Sequence, residues 1–351
     1  MFTMQWRPLP WLLLILCALP CLCLLQQRAY AAAPLAADLV QDNQAINFRQ
    51  QKFTEFFVEL QDKHHFSGAE LRAIFTGLTI DRRVLILMDR QGEAKPYYEY
   101  FPMFITNAII QTGRAKLAEQ RFLLDRIERR FGVDREVVVA IWGIETRYGA
   151  NQGSYDVLRT LTTLFDAYPR RAQFFRRELI HFLLLCRETG IDPRQVKGSY
   201  AGAFGQTQFM PSSFRKYAVS FDGDRKRDVW NSTADVLASI ANYLKHFGWV
   251  LDAPVYAELG SVLNSSQLLA TEQQGRRGRV AASVVEQAQQ RRLPPVPGNK
   301  GLSIVGLELA PGAAAEKRYV AGYPNFHAIT EWNHSNRYAM AVSELAEALA
   351  R

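Results

Sequence analysis

The sequence predicts a mostly helical α+β protein. Two long segments, residues 135–149 and 170–190, carry apolar residues over a broad face and are bounded by capping residues or glycine. The segments with the pattern of β-strands are short runs such as residues 302–309 and 317–320. The chain has 351 residues, of which 48% are hydrophobic and 22% charged. That composition is typical of globular proteins, and this length is ample for a sizeable core.

Residues 1–31 have the plan of a cleavable signal peptide. Arg7 supplies a positive charge, residues 9–25 are nearly all apolar, and Ala29-Tyr30-Ala31 gives the A-x-A pattern of a cleavage site. We therefore predict cleavage after Ala31 and a periplasmic mature protein.

Two other roles for this segment are less favoured. A membrane anchor needs about 20 apolar residues, and Pro10 and Pro20 interrupt a run that is already shorter. A lipoprotein signal needs small residues ahead of its cysteine, where this chain has Pro20 and Leu22. The mature chain keeps one cysteine, Cys186, which we predict to be a core residue.

The first half of the mature chain is predicted to be helical. Residues 34–120 are a mixture of polar and apolar positions, and the aromatic patch at residues 97–102 is predicted to be a loop because prolines flank it. Asp134 is the expected N-cap of an apolar helix that continues to Gly149.

The second half alternates helices with an irregular basic region. A long helix is expected over residues 170–190, Pro211-Ser212-Ser213 should cap another, and a third covers residues 232–247. Residues 265–300 are rich in Gln, Arg, Gly and Pro, which indicates a small inserted subdomain with basic loops. A helix over residues 338–350 closes the chain.

Glu145 is a single carboxylate at the end of the apolar helix 135–149. Burial there raises the pKa of a carboxyl, as a general acid working near neutral pH requires, whereas Arg147 opposes this effect if it points inward. An acidic residue at a helix end is more often a surface residue or part of a structural ion pair. The helix alone therefore does not identify a catalyst.

A second segment, residues 198–213, is rich in small residues that let a ligand approach the backbone, and Ser199 and Gln208 add hydrogen-bonding groups. Together with the Glu145 segment it resembles the lysozyme-like lytic transglycosylases, specifically the membrane-bound lytic murein transglycosylase B family. The resemblance covers residues 97–351. It includes the motifs Tyr168-Pro169-Arg170-Arg171-Ala172, Ala241-Asn242-Tyr243 and Asn333-His334-Ser335.

This resemblance implies a site around Glu145 as the one acid/base catalyst. Arg170 and Arg171 would meet the anionic peptide stem of the substrate. Trp332 stands where relatives often carry tyrosine, and Gln206 replaces an aromatic residue of some members. The residues implied to line the glycan cleft are Tyr100, Ser199, Gln208, Tyr243, Trp332, Asn333 and Tyr338. Core packing is an equally good interpretation of Tyr243.

The resemblance also implies a division of the chain into domains. After the signal peptide, residues 32–100 form an N-terminal helical region and residues 101–250 a lysozyme-like catalytic core. Residues 251–325 form the inserted β-containing subdomain, and residues 326–351 return to the cleft and close the fold.

The implied function is that of a peptidoglycan lytic transglycosylase. Ordinary glycosidases use two carboxylates, whereas this family uses one and forms 1,6-anhydro ends on N-acetylmuramic acid. The alternatives are a muramidase that uses the same Glu145 with water, and a non-catalytic scaffold that binds peptidoglycan. A formal charge of +8 suits a polyanionic partner such as the cell wall, although charge alone also fits nucleic acid or a membrane surface.

The expected partners are glycan strands, with cell-wall synthases as candidate protein partners. We predict no nucleic-acid partner, and a membrane only if the signal segment is retained. No cofactor is required. Asp222, Asp224 and Asp235 resemble an altered EF-hand loop, but Ser220 and Arg225 replace the usual first acid and glycine. We therefore predict at most a weak Ca²⁺ site, with a solvated acidic turn as the alternative.

Overall fold

The computed structural model describes residues 35–90 and 95–351. The predicted signal peptide and its cleavage site lie outside these residues. Among the helices described, none is long and apolar enough to cross a bilayer.

The described residues form a mostly helical protein with two small antiparallel sheets, as predicted. The helices are α1 Gln51–Asp62, α2 Gly68–Phe75, α3 Arg82–Asp89, α4 Tyr97–Tyr100, α5 Asn107–Glu119, α6 Arg121–Phe131, α7 Arg135–Thr146, α8 Val157–Ala167, α9 Ala172–Thr189, α10 Pro211–Tyr217, α11 Thr233–His246, α12 Ser266–Gln273, α13 Ala282–Gln289, α14 Pro324–Asn333 and α15 Asn336–Ala350. The strands are β1 Tyr155–Asp156, β2 Lys197–Gly198, β3 Tyr256–Gly260, β4 Ser303–Glu308 and β5 Lys317–Gly322. β1 pairs with β2, and the larger sheet has the order β3-β5-β4.

Helix α7 lies in the main hydrophobic core, which explains its apolar sequence. Residues 137–143 are all buried, and the helix packs against α5, α11 and α15. It ends at Thr146, three residues before the predicted end, because Arg147 and Tyr148 both adopt left-handed backbone angles (φ 51° and 60°). Asp134 is the N-cap residue, but its carboxylate accepts a 2.7 Å hydrogen bond from Trp249 Nε1 and does not cap the helix.

The predicted helices at 170–190, 232–247 and 338–350 are confirmed as α9, α11 and α15, and Cys186 is buried in the core on α9. The predicted cap of α10 was wrong. Pro211 is the first helical residue and Met210 caps without a side-chain hydrogen bond. Ser212 instead donates from Oγ to the buried Glu178 carboxylate at 2.7 Å, so this serine joins α10 to α9.

The aromatic patch at residues 97–102 is helical, which corrects the predicted loop. It forms α4 and one following 3₁₀ turn. The Tyr97 hydroxyl donates to Glu344 Oε2 at 2.6 Å, and the Tyr97 backbone N–H donates to Glu308 Oε2 at 3.0 Å. These two acids lie on α15 and β4, so distant partners stabilise a helix that the local sequence does not indicate.

The β3-β5-β4 sheet separates two hydrophobic clusters. Val305 and Leu307 point into the main core, whereas Ile304, on the alternate face of β4, packs with Leu268 and Val285 of α12 and α13. The smaller cluster lies within residues 259–323. It lies inside the predicted subdomain at 251–325, and the boundaries 32–100, 101–250, 251–325 and 326–351 all stay predictions.

Phe204 offers a test of packing beside the glycine-rich loop. It is fully buried, stacks on Trp230 with ring centroids 5.3 Å apart, and lies 5.6 Å from the Phe214 ring. We expect Phe204→Ala to lower the free energy of unfolding by about 3–5 kcal/mol, because it leaves a cavity in a packed aromatic cluster. Urea unfolding measures this loss. The control Phe122→Ala, whose ring is 82% exposed, should change stability by less than about 0.5 kcal/mol. Equal effects of the two substitutions would contradict the packing role.

Candidate active site

Glu145 lies in the last turn of α7, where two residues from the C-terminal helices contact its carboxyl group. Glu145 Oε1 accepts a 2.6 Å hydrogen bond from the Tyr338 hydroxyl of α15 and a 2.9 Å hydrogen bond from Trp332 Nε1 of α14. The Glu145 side chain is half-buried and Tyr338 is 2% exposed. Three elements that are distant in sequence therefore meet at one carboxyl oxygen.

Burial is the dominant influence on this carboxyl. It raises the pKa of Glu145 to about 7, although the hydrogen bonds from Tyr338 and Trp332 act in the opposite direction. Arg147 is exposed, so it does not oppose the effect as an inward-pointing guanidinium would. No second carboxylate of the described residues contributes to the shift. A group with these properties can donate a proton near neutral pH and take it back.

The two hydrogen bonds also determine which oxygen carries the proton. Tyr338 and Trp332 both present hydrogens to Oε1, so a proton on that oxygen would meet two other donors. Within residues 35–90 and 95–351, no group donates a hydrogen bond to Oε2. We therefore expect the acid form to carry its proton on Oε2.

Aromatic packing holds Trp332 in place. Its ring is 4.6 Å from the Tyr243 ring and 5.1 Å from the Phe209 ring. The Tyr243 hydroxyl donates a 2.6 Å hydrogen bond to the backbone carbonyl of Glu331. Tyr243 is 6% exposed, as expected of a packing residue. Its hydroxyl also holds the backbone of Glu331, the residue before Trp332.

Ser199 and Gln208 shape the glycine-rich loop. Ser199 Oγ accepts hydrogen bonds from the backbone N–H groups of Ala201 and Ala203. Gln208 has a left-handed backbone (φ 47°), and its Nε2 donates to the carbonyls of Gln152 and Gly205 at 3.0 and 2.9 Å. Both side chains are half-buried, which leaves part of each accessible.

The remaining predicted residues have different environments. Tyr100 is buried, and it lies close enough to Tyr338 to help raise the pKa of that phenol. Asn333 is half-buried and makes no side-chain hydrogen bond within the described ranges. Arg170 forms an ion pair with Asp89 on α3. The guanidinium carbon of Arg171 lies 4.3 Å from the centroid of the Phe174 ring. No hydrogen bond or ion pair found among the described residues joins either arginine to Glu145.

Two residues near the site were not predicted as functional. Phe209 supports the Trp332 ring, and Gln206 connects α7 to the glycine-rich loop through its side chain and backbone. Phe209 has the appearance of an ordinary core residue in the sequence. Gln206 was noted only as a departure from relatives, and its hydrogen-bond partners are distant along the chain.

The predicted acidic loop brings its three carboxylates together. Ligand oxygens of Asp222, Asp224 and Asp235 lie within 4.8 Å of one another. Asp235 is fully buried, and its two oxygens already accept backbone N–H groups of Phe221 and Asp228 at 2.6 and 2.9 Å. The oxygen donors suit Ca²⁺, but these internal hydrogen bonds compete with a metal and fit only a weak site.

Comparison with known proteins agrees with this geometry. The model of the family described as "Transglycosylase SLT domain" matches residues 49–347. The membrane-bound lytic murein transglycosylase B of Escherichia coli K12 is 35% identical over 306 residues, which cover 84% of this chain and 82% of that protein.

Two solved structures extend the likeness to the fold. The Escherichia coli lytic transglycosylase Slt35 in complex with calcium is 34% identical, with a TM-score of 0.75, and the match covers 89% of this chain and 96% of that one. SltB3 from Pseudomonas aeruginosa in complex with NAG-anhNAM-pentapeptide is 30% identical, with a TM-score of 0.70 and coverage of 86% and 79%. The fold, the carboxyl site at the end of α7 and the extent of the match lead to one conclusion: this chain belongs to the SLT-domain family of peptidoglycan lytic transglycosylases.

Proposed function

We propose that this protein cleaves the β-1,4 bond between N-acetylmuramic acid and N-acetylglucosamine with Glu145 as its one acid/base catalyst, leaving 1,6-anhydro ends. The observation that carries the proposal is the Glu145 carboxyl. Its pKa of about 7 allows both protonation states near neutral pH, and its Oε2 accepts no hydrogen bond from the described residues.

In the first step, the proton on Glu145 Oε2 moves to the glycosidic oxygen as the bond from that oxygen to the muramoyl C1 breaks. N-acetylglucosamine leaves with a new hydroxyl group. The resulting Glu145 carboxylate is stabilised by the hydrogen bonds from Tyr338 and Trp332 on Oε1. These donors are in place before the reaction and so need no rearrangement.

In the second step, the muramoyl C6 oxygen forms a bond to C1 and its proton returns to Glu145. The attacking hydroxyl belongs to the same sugar, so it is present at high effective concentration and competes well with water. One carboxyl group thus performs both proton transfers, in agreement with the lack of any second carboxylate that affects the Glu145 pKa within the described residues.

The substrate contacts are proposals of the same kind. Ser199, Gln208 and Asn333 are partly accessible, and their polar groups would form hydrogen bonds with the glycan. Tyr100 and Tyr243 are buried and would form the wall of the glycan site. Arg170 is 66% exposed beside Asp89, so its guanidinium can still meet a carboxylate of the peptide stem, and we propose the same role for Arg171.

Export by the segment at residues 1–31, a weak Ca²⁺ site at Asp222, Asp224 and Asp235, and association with cell-wall synthases complete the proposal. Slt35 in complex with calcium supports the metal site by analogy. The proposed periplasmic location is where peptidoglycan is found.

Substitution of the catalytic carboxyl tests the reaction directly. We expect Glu145→Gln to lower the rate of glycan cleavage at least about a thousandfold, because the near-isosteric amide can neither donate nor accept the proton. Mass spectrometry of digested sacculi should find 1,6-anhydro ends with the wild type. Glu136→Gln, at another half-buried acid of α7, is the control and should retain activity. Mainly reducing muramic acid ends would identify a muramidase, and an active Glu145→Gln would disprove the assignment.

The hydrogen bonds on Oε1 predict how activity depends on pH. Because the first step needs the protonated acid, kcat/KM should fall as pH rises through about 7. Trp332→Phe removes a hydrogen bond that lowers the pKa of Glu145, so the alkaline limb should move to higher pH by about one unit, and Tyr338→Phe should move it in the same direction. Trp249→Phe removes an indole–carboxylate hydrogen bond at Asp134 and should leave the limb unchanged. A limb that moves to lower pH in Trp332→Phe would contradict this account.

The raised pKa also predicts an effect on stability. Unfolding returns the Glu145 pKa from about 7 to its ordinary value of 4.5, so the folded state binds the proton more tightly. This stabilisation is complete below about pH 4.5 and is lost as pH rises through 7, with a maximum of ~3 kcal/mol. Glu145→Gln has no such loss, so its unfolding free energy relative to the wild type should increase from pH 4.5 to pH 8. Urea unfolding across this range measures the difference, and a pH-independent difference would refute the raised pKa.

A further inference from the structure

The side chain of Gln206 joins the catalytic helix to two other segments. Its Oε1 accepts a 2.9 Å hydrogen bond from Trp142 Nε1 of α7, and its Nε2 donates a 2.8 Å hydrogen bond to the backbone carbonyl of Trp230. An indole N–H can only donate and a carbonyl can only accept, so these partners fix the orientation of the amide. The amide thus accepts one hydrogen bond and donates another.

The backbone of Gln206 makes two more connections. Its N–H donates to the Val229 carbonyl at 2.7 Å, and its carbonyl accepts a 3.1 Å hydrogen bond from Thr146 Oγ1. Thr146 directly follows Glu145 in the chain. A side chain at Gly149 would place its Cβ 2.5 Å from Gln206 Oε1, so the turn after α7 packs tightly against this amide.

The last turn of α7 needs such support. After Glu145 the chain leaves the helix through two consecutive left-handed residues, Arg147 and Tyr148. The donors to Glu145 Oε1 lie on α14 and α15, so their 2.6 and 2.9 Å distances depend on where α7 ends. A displacement of about 1 Å exceeds the range of a good hydrogen bond and exposes the carboxyl to water.

We propose that Gln206 is a positioning residue, which holds the last turn of α7 so that Glu145 stays buried between Tyr338 and Trp332. This inference rests on the proposed function of Glu145. Gln206 makes no hydrogen bond to Glu145 itself among the described residues, so its effect passes through Trp142 and Thr146.

The test compares two glutamines that bind the same carbonyl. Gln206→Met has a similar length and removes both polar contacts, whereas Gln152→Met removes a 3.3 Å hydrogen bond to the Trp230 carbonyl and no side-chain hydrogen bond to α7. We expect Gln206→Met to lower kcat at least about tenfold per folded molecule with little change in KM. Gln152→Met should retain the wild-type kcat.

The pH profile separates positioning from stability. Loosening hydrates the carboxyl and also weakens its two hydrogen bonds, but burial is the larger influence on its pKa, so Gln206→Met should move the alkaline limb of kcat/KM to lower pH, opposite to the direction expected for Trp332→Phe. Trp142→Phe should have a similar effect on kcat, and the double variant should be no worse than the single ones, because both break the same connection. A lower melting temperature with unchanged kcat and pH profile would overturn the proposal.

A second variant keeps the test valid if Gln206→Met does not fold. Trp142→Phe removes the indole donor to Gln206 Oε1 and leaves the backbone connections of Gln206 in place, so it should move the alkaline limb in the same direction by a smaller amount. An unchanged limb would overturn the proposal. Failure of the proposed function is distinguishable, because it appears as an active Glu145→Gln or as a wild type without anhydro products.

Discussion

The convergence of two hydrogen bonds on Glu145 Oε1 is the interaction on which the site depends. It requires the C-terminal ends of α7 and α14 to meet the N-terminal end of α15, although Tyr338 and Glu145 are 193 residues apart. The rings of Tyr243 and Phe209 pack around Trp332 and hold the end of α14 at this position. The main core therefore aligns the ends of its helices as well as burying apolar surface.

A carboxyl buried without a cation is unfavourable for stability, but it has the raised pKa that the proposed role of Glu145 requires. The carboxyl groups of Asp81 and Glu188 are stabilised by arginine partners that lower their pKa values. Glu145 has two neutral donors instead, and burial outweighs both. Neutral donors can stabilise the carboxylate when it forms without abolishing the proton affinity that a general acid requires.

Local sequence was sufficient to predict α9 and α11, because apolar periodicity and the signals at Gly190 and Ser232 mark their limits. The assignment of Glu145 as the catalyst came from the family resemblance and not from the local sequence, and it stays a proposal. Local sequence did not predict the helix at residues 97–100, since the stabilising partner Glu344 is 247 residues away from Tyr97. The pairing of Arg170 with Asp89 and the four connections of Gln206 were missed for the same reason.

The sheet β3-β5-β4 limits which insertions and deletions this chain can tolerate. Because Val305 and Val320 belong to the main core while Ile304 and Ala321 belong to the smaller one, the sheet is a wall shared by both cores. Deletion of the whole insertion would uncover one side of the catalytic core, so the insertion cannot be exchanged as an independent cassette. Changes of length can be absorbed in the connections between α12 and β4, where the basic residues are concentrated, and evolution can thus alter the charge of this region without disturbing α7.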